Sequence, residues 1–348
     1  MALWTDLITP AELTGYARES LAAREARNGT LARWLPNREV LDTVVRFVAG
    51  QSGLVPIAQF RAYDAEPSVG KGPQGKRVTI ELPALGQNIP VSEYAQLRAR
   101  AAEDDAILRE ILNTTDRVVA AVSDAIERLR GIVIATGKAT INSTNFGGAT
   151  DGFWSDDDFG RAGGHTVTAG SAWTTGSVSR LTDLQTWFDV YVATNGVEPG
   201  ALLMSTRVLR ALAAGTEFQT QLINGGARPA TRQQVQDILS GAGLPEIVVY
   251  DRRVSVGGTA TKVLPDDRLF LLPPAVEPDG ESELGATFWG ETLTATEGGW
   301  GIEPGETPGI VAGVYRGEKP PLIAEVISDA IALPVLANAD LSFSADVL

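Results

Sequence analysis

The sequence predicts an α+β protein: a β-rich body spanned by one long helix and interrupted by a smaller α/β unit. Three observations predict this. Residues 115–135 carry apolar side chains at helical spacing, 139–178 and 286–348 read mainly as strands, and 181–285 alternates helix and strand patterns. A chain of 348 residues is long enough for two compact units.

The first element is a helix opening in "TPAELTGYARESLAA". Thr9 and Glu12 have capping-box spacing, Pro10 suits the first helical position, and Leu13, Tyr16, Ala17 and Leu21 form a thin apolar stripe. The stretch to residue 50 mixes arginines with "LARWL" and "VLDTVVRFVAG". It holds too little apolar surface to fold alone and reads as an arm that needs something to lie against.

Residues 52–95 read as one long hairpin. In "RVTIEL" Val78, Ile80 and Leu82 share one face, and "PIAQFRAYD" alternates on the other side of the tip. The tip contains "SVGKGPQGKR", which from Gly70 to Lys76 fits the phosphate-loop pattern but has Arg77 where Ser or Thr should bind Mg²⁺. A phosphate loop must lead from a buried strand into a helix. Here Pro73 interrupts the loop and a strand follows, so the segment reads as a hairpin tip.

The helix expected next has Val118, Val122, Ala125, Leu129 and Ile132 inward, Thr115 or Asp116 as its cap, and Gly137 as its end. At about 20 residues it would span roughly 30 Å. Beyond it lie two decoys. "DFG" at 158–160 lacks the other kinase motifs. "SDDD" at 155–158 offers oxygen ligands for a hard cation but lacks EF-hand spacing, and reads as a solvated turn.

In 181–285, Leu181, Leu184, Phe188 and Tyr191 face inward on a helix and "PGALLMS" is a buried strand. "TRVLRALA" is a helix, "TRQQVQDILSGAGLPEIVVYD" a helix turning into a strand, and Gly257-Gly258 turns a hairpin. Trp187 and Trp289 read as core residues. The tail returns to strands in "ATFWGETLTAT", "GIVAGVYRGE" and the last thirty residues.

Composition removes much catalytic chemistry. There is no cysteine, and His165 is the only histidine, so thiol nucleophiles, disulfides and multi-histidine metal sites are excluded. No cofactor and no metal is expected. Residues 1–100 carry 12 basic and 10 acidic side chains, the remainder 17 and 33, within a net charge of −14. An acidic body repels nucleic acid, while the weakly basic front suits an acidic surface, including that of another copy. No signal peptide or membrane-spanning run is evident, and a cytoplasmic product is expected.

Four stretches, in order along the chain, carry a resemblance: "AIERLRGIVIATGKATI" (125–141), "DFGRAGGHTVTAGSAW" (158–173), "NGVEPGALLMSTRVLRAL" (195–212) and "SDAIALPVLANAD" (328–340). Their order and spacing resemble the lambda-type phage major capsid proteins, the protein E family, with the Hong Kong 97 capsid fold. The resemblance implies an N-terminal arm at 1–50 and an extended loop at 51–95 that reaches over a neighbouring subunit. It implies a peripheral domain at 96–180 and 286–348 with a spine helix at 115–135, and an axial domain at 181–285.

It further implies pentamers and hexamers in an icosahedral shell around double-stranded DNA, formed in the host bacterial cytoplasm and retained in the virion. A separate scaffolding protein or protease, a portal and a decoration protein would be partners, with no sequence-specific DNA contact and no membrane. Lys71, Lys76 and Arg77 would make the loop-tip contact between subunits. Some relatives weld a loop lysine to an asparagine, for which Lys71 or Lys76 and Asn338 are conceivable here. The solvated tip argues against that reaction, which needs a desolvated neutral lysine. An encapsulin-type shell, or an acidic α/β enzyme or binding protein using 181–285, are the other readings.

Overall fold

Thr9 starts the first helix as its spacing predicts. Its backbone N–H and its hydroxyl donate to Glu12 Oε2 at 3.0 and 2.9 Å, and the Glu12 N–H donates back to Thr9 Oγ1 at 3.3 Å. The helix runs Pro10–Arg27 in the computed structural model. That structure describes residues 7–27, 29–49, 76–98, 104–150, 152–176, 178–220, 229–277, 280–303, 306–317 and 319–348. The chain divides into two units: Met1–Val45, Thr79–Arg130 and Ala286–Pro334 form the first, and Arg46–Val78, Gly131–Gly285 and Val335–Leu348 the second.

In the first unit the arm-like stretch lies against the chain's own helix and sheet. Leu13, Ala17 and Leu21 share one core with Ile111, Val118, Val122 and Ile126 of the long helix and with Ala312, Val326 and Ala330 of the sheet. Tyr16 sits at the margin and donates to Asp116 Oδ2 at 3.0 Å, while Ser20 donates to Asp116 Oδ1 at 2.7 Å. Leu31, Trp34 and Leu35 of "LARWL" are also buried.

The long helix is Asp104–Thr136, 33 residues, or about 50 Å. The expected start at Thr115 or Asp116 is thus corrected. Thr114 and Thr115 donate their hydroxyls back to the carbonyls of Glu110 and Ile111 at 2.8 and 3.0 Å, a mid-helix bond that removes the need for a cap. Ile107 and Ile111 continue the apolar stripe by one more turn at each step. Val118, Val122, Leu129 and Ile132 are buried as expected, while Ala125 is half-buried beside buried Ile126. The other end falls where expected, at Gly137, with φ +74° and its N–H on the Val133 carbonyl at 2.8 Å.

The sheet of the first unit is organised by the 13-residue strand Ala324–Leu336. Strands Val311–Arg316 and Ala84–Val91 both pair with it antiparallel, and Gly285–Gly290 lies next to it, with Asn37–Glu39 parallel beyond. Val311–Arg316 ends the strand order, and the first helix covers it: Thr14 Oγ1 donates to the Ala312 carbonyl at 3.0 Å and accepts from the Ala312 N–H at 3.1 Å. "LTAT", expected as strand, is a helical turn, Leu293–Thr296. Thr292 caps it by accepting from the Ala295 N–H at 3.2 Å.

Of the expected long hairpin, Lys76–Glu81 is a strand with Ile80 and Leu82 buried. Its partner is Val44–Ala49, from the end of the arm stretch. The pairing expected with "PIAQFRAYD" lies outside the described residues.

In the second unit five strands follow the order Thr166–Thr168, Phe343–Asp346, Arg268–Leu272, Ala201–Met204, Glu246–Val249. Ala201–Met204 is buried on both faces, which is why "ALLM" reads as a continuous apolar run. Helix Thr206–Ala213 starts at Ser205, whose hydroxyl accepts from the Val208 N–H at 3.2 Å. Arg232–Gly241 leads into Glu246–Val249, and Gly257-Gly258, at φ +57° and +82°, turns the hairpin between Arg253–Val256 and Thr259–Lys262. On helix Arg180–Asn195 the buried face is Leu184, Trp187 and Tyr191. Leu181 and Phe188, expected inward, are half-buried.

Candidate functional site

Each unit packs polar side chains into its interior. In the first unit Arg130 is fully buried. Its Nη1 donates to Glu25 Oε1 at 2.7 Å and to Glu127 Oε2 at 3.3 Å, its Nη2 to Asn37 Oδ1 at 2.5 Å and its Nε to Thr287 Oγ1 at 2.9 Å. The second oxygen of each carboxylate is also used: Asn37 Nδ2 donates to Glu25 Oε2 at 2.6 Å and the Leu31 N–H to Glu127 Oε1 at 2.9 Å. Trp289 Nε1 donates to Asn37 Oδ1 at 2.9 Å. Burial presses the guanidinium towards losing its proton, but the carboxylates of Glu25 and Glu127 outweigh it and hold Arg130 above its ordinary value.

Arg130 was not singled out by the sequence patterns. Three of its partners lie 93, 105 and 157 residues away, which no local pattern reveals. The available signal was Glu127 and Arg130, three apart, flanked by Ile126, Leu129 and Val133 on a buried helix.

In the second unit Arg161 reaches the end of the long helix. Its Nη1 donates to the Ala135 carbonyl at 3.2 Å, and its Nη2 to Val133 at 3.3 Å and to Ile134. Burial pushes it down to about 10, against the pull of Asp340. The carboxylate of Asp340 accepts from the Ala162 N–H at 2.7 Å. His165 is buried with its ring 5.4 Å from that of Phe343 and 6.2 Å from that of Tyr191. Burial holds the imidazole below its ordinary value. The chain's one histidine is therefore packed as a core ring.

The decoys resolve into structure. "SDDD" is not a turn but the strand Ser155–Asp158, paired antiparallel with Lys138–Ile141. Asp158 of "DFG" binds Lys138 Nζ at 2.8 Å and accepts from the Gly160 N–H at 2.9 Å, while Phe159 is buried. Among the described residues no group of three or more His, Asp and Glu side chains is placed to hold a metal ion. Trp187 and Trp289 are core residues.

Of the residues singled out for contact between subunits, Lys71 lies outside the described residues. Lys76 and Arg77 begin a strand, with side chains that are not described. Asn338 is half-buried and precedes the turn Ala339–Leu341. Its N–H donates to the Leu284 carbonyl at 3.2 Å, and its Oδ1 is buried with no hydrogen-bond partner among the described residues.

The surface carries large apolar side chains that sequence reading missed. Leu41, Tyr94, Leu97, Leu293 and Tyr315 are exposed in the first unit, and Phe153, Trp154, Val190 and Val197 in the second. Adjacent aromatic rings in water mark surfaces meant to be covered. No helix of the described residues is long and apolar enough to cross a membrane.

One unit packs a long helix on a mixed sheet, the other is built on a five-stranded sheet, and each exposes aromatic side chains. The chain belongs to the phage major capsid protein E family, whose model matches residues 11–295. Its structure is similar to that of the putative capsid protein of a prophage of Escherichia coli CFT073. The TM-score is 0.65 at 15% identity, covering 98% of this chain and 99% of that one. It is also similar to a phage-related protein from Bordetella bronchiseptica RB50, with a TM-score of 0.59 at 16% identity, covering 97% of each chain. At these identities the likeness is one of fold, the Hong Kong 97 type. No curated protein sequence matches the chain. The chain is a capsid shell protein, a component of the virion.

Proposed function

We propose that copies of this chain close as pentamers and hexamers into an icosahedral shell that encloses phage double-stranded DNA. The family match over residues 11–295, joined to a capsid fold over nearly the whole length, carries this reading. In it residues 1–50 are the N-terminal arm and 51–95 the extended loop. Residues 96–180 and 286–348 are the peripheral domain, and 181–285 is the axial domain. Lys71, Lys76 and Arg77 at the loop tip meet the acidic body of a neighbour. A scaffolding protein or protease, a portal and a decoration protein act with the shell, which forms in the bacterial cytoplasm. The acidic body supports DNA enclosure without sequence-specific contact. The role is structural, without a catalytic centre.

Electron microscopy of the purified chain tests this reading, with closed polyhedral shells, pentamers or hexamers expected. Deleting residues 66–76 leaves a folded subunit that no longer forms stable shells. Normal shells from that deletion would remove the role given to the loop.

A further inference from the structure

Residues 163–172, "GGHTVTAGSA", run along the second unit as a strap pinned at both ends. At one end the Ala162 N–H donates to Asp340 Oδ1 at 2.7 Å. At the other the Trp173 N–H donates to the Val347 carbonyl at 2.8 Å. The buried Trp173 ring stacks on Trp187 at 5.9 Å, and its Nε1 donates to Asp183 Oδ2 at 2.9 Å. Between these pins His165 is the one buried residue. Gly163, Gly164, Thr166, Thr168 and 170–172 are exposed, and Val167 and Ala169 are half-buried. The strap's short strand, Thr166–Thr168, ends the strand order and pairs along one side, parallel to residues 344–346. The imidazole is thus the strap's side-chain anchor.

The pocket of that anchor suits a neutral ring. Phe343 and Tyr191 pack against the imidazole, and neither ring nitrogen makes a hydrogen bond of normal geometry among the described residues. From helix Arg180–Asn195 the group facing it is the Tyr191 phenol, which donates to the Leu341 carbonyl at 3.3 Å and is pushed above its ordinary value by burial. From the turn Ala339–Leu341 the Asp340 carboxylate draws the ring towards its charged form, helped by backbone groups of Asp340 and Ser342, while Arg161 opposes it. On the strand Phe343–Asp346 the charged residue is Asp346 at the far end, 4.0 Å from Arg268. Burial outweighs the attraction. We propose that the 163–172 strap is a proton-operated latch: the neutral imidazole holds it down, and the imidazolium, which needs acceptors or water at both nitrogens, lifts it. Lifting opens the backbone of residues 344–346 to solvent on that side while the rest of the sheet stays paired. A ring released into water has an ordinary value of about 6.5, so opening gains up to about tenfold per pH unit below it. The latch belongs to the single chain and does not depend on the shell reading.

Hydrogen–deuterium exchange of the full-length, unassembled chain at pH 7.5 and pH 5.0 tests the latch, with rates corrected for the intrinsic effect of pH. Protection of 163–172 is expected to fall about fivefold or more at pH 5.0, with Ala201–Met204 unchanged within about twofold. His165→Phe keeps a ring in the pocket but takes no proton, and holds the strap down at both values. Unchanged protection in the unaltered chain, a fall shared equally by Ala201–Met204, or the same fall in His165→Phe overturns the proposal. A cross-link supplies the second measurement, made specific by the absence of cysteine. Thr168 and Asp346 are register partners, so Thr168→Cys/Asp346→Cys, oxidised at pH 7.5, bonds the strap to its neighbour. The oxidised chain is expected to lose the pH response and to regain it on reduction. A response that survives oxidation overturns the latch, as does failure of the pair to bond at pH 7.5.

Discussion

Arg130 in the first unit is buried and Arg161 in the second is half-buried, and their environments drive them in opposite directions. Arg130 meets two carboxylates and is held above its ordinary value. Arg161 meets the carbonyls of Val133, Ile134 and Ala135, forms no ion pair among the described residues, and is pushed down to about 10. Burial alone does not decide the state of a guanidinium; the charge of what it touches does. The two also differ in what they join. Arg130 ties three stretches distant in sequence, at 25, 37 and 287, whereas Arg161 closes the end of one helix.

Substitution sharpens the contrast. Arg130→Met removes the buried cation that Glu25 and Glu127 share, and a loss of about 3–5 kcal/mol is expected in urea unfolding of the unassembled subunit. Glu25→Gln/Glu127→Gln added to Arg130→Met recovers part of that loss, because the carboxylate charges are gone. A loss from Arg130→Met below that of an ordinary surface substitution would break the comparison. Arg161→Met removes only hydrogen bonds to helix-end carbonyls, and a smaller loss of about 1–2 kcal/mol is expected by the same unfolding measurement.

The smallest effect is a pH dependence of the second unit. His165 is held below 6.5 when folded, so the unfolded chain binds the proton more readily. Its contribution to stability is complete above about 6.5 and is lost as the pH falls from there through the folded value. Unfolding followed from pH 8 to pH 5 shows this slope in the unaltered chain, and His165→Phe reduces it. An unchanged slope in His165→Phe would assign the pH dependence to the carboxylates instead.

Elements governed by local chemistry were legible in the sequence: the Thr9–Glu12 capping box, the Gly137 helix end, the Gly257-Gly258 turn, and the buried Ala201–Met204 strand. The first three depend on neighbours within a few residues, and the strand shows as a continuous apolar run because both its faces are buried. The early turns of the long helix were misread because a threonine suits both a cap and a back-bonded helix interior, and Thr114 and Thr115 take the second option. "SDDD" was misread because its pairing with Lys138–Ile141 overrides the turn preference of aspartate. The Arg130 cluster was not legible, since long-range partners leave no mark in any short window. The family was legible because the order of several stretches carries information that no single stretch holds, and the family model agrees.

Thr14 engages both backbone groups of Ala312 on the strand that ends the first sheet. A bare strand border invites the addition of another chain, and each addition offers a fresh border, so growth of that kind never closes. A protein that assembles into a shell from many copies of itself is most at risk from such growth. The hydroxyl of Thr14 occupies the polar groups on which an uninvited strand would seed, which favours bounded assembly over fibres.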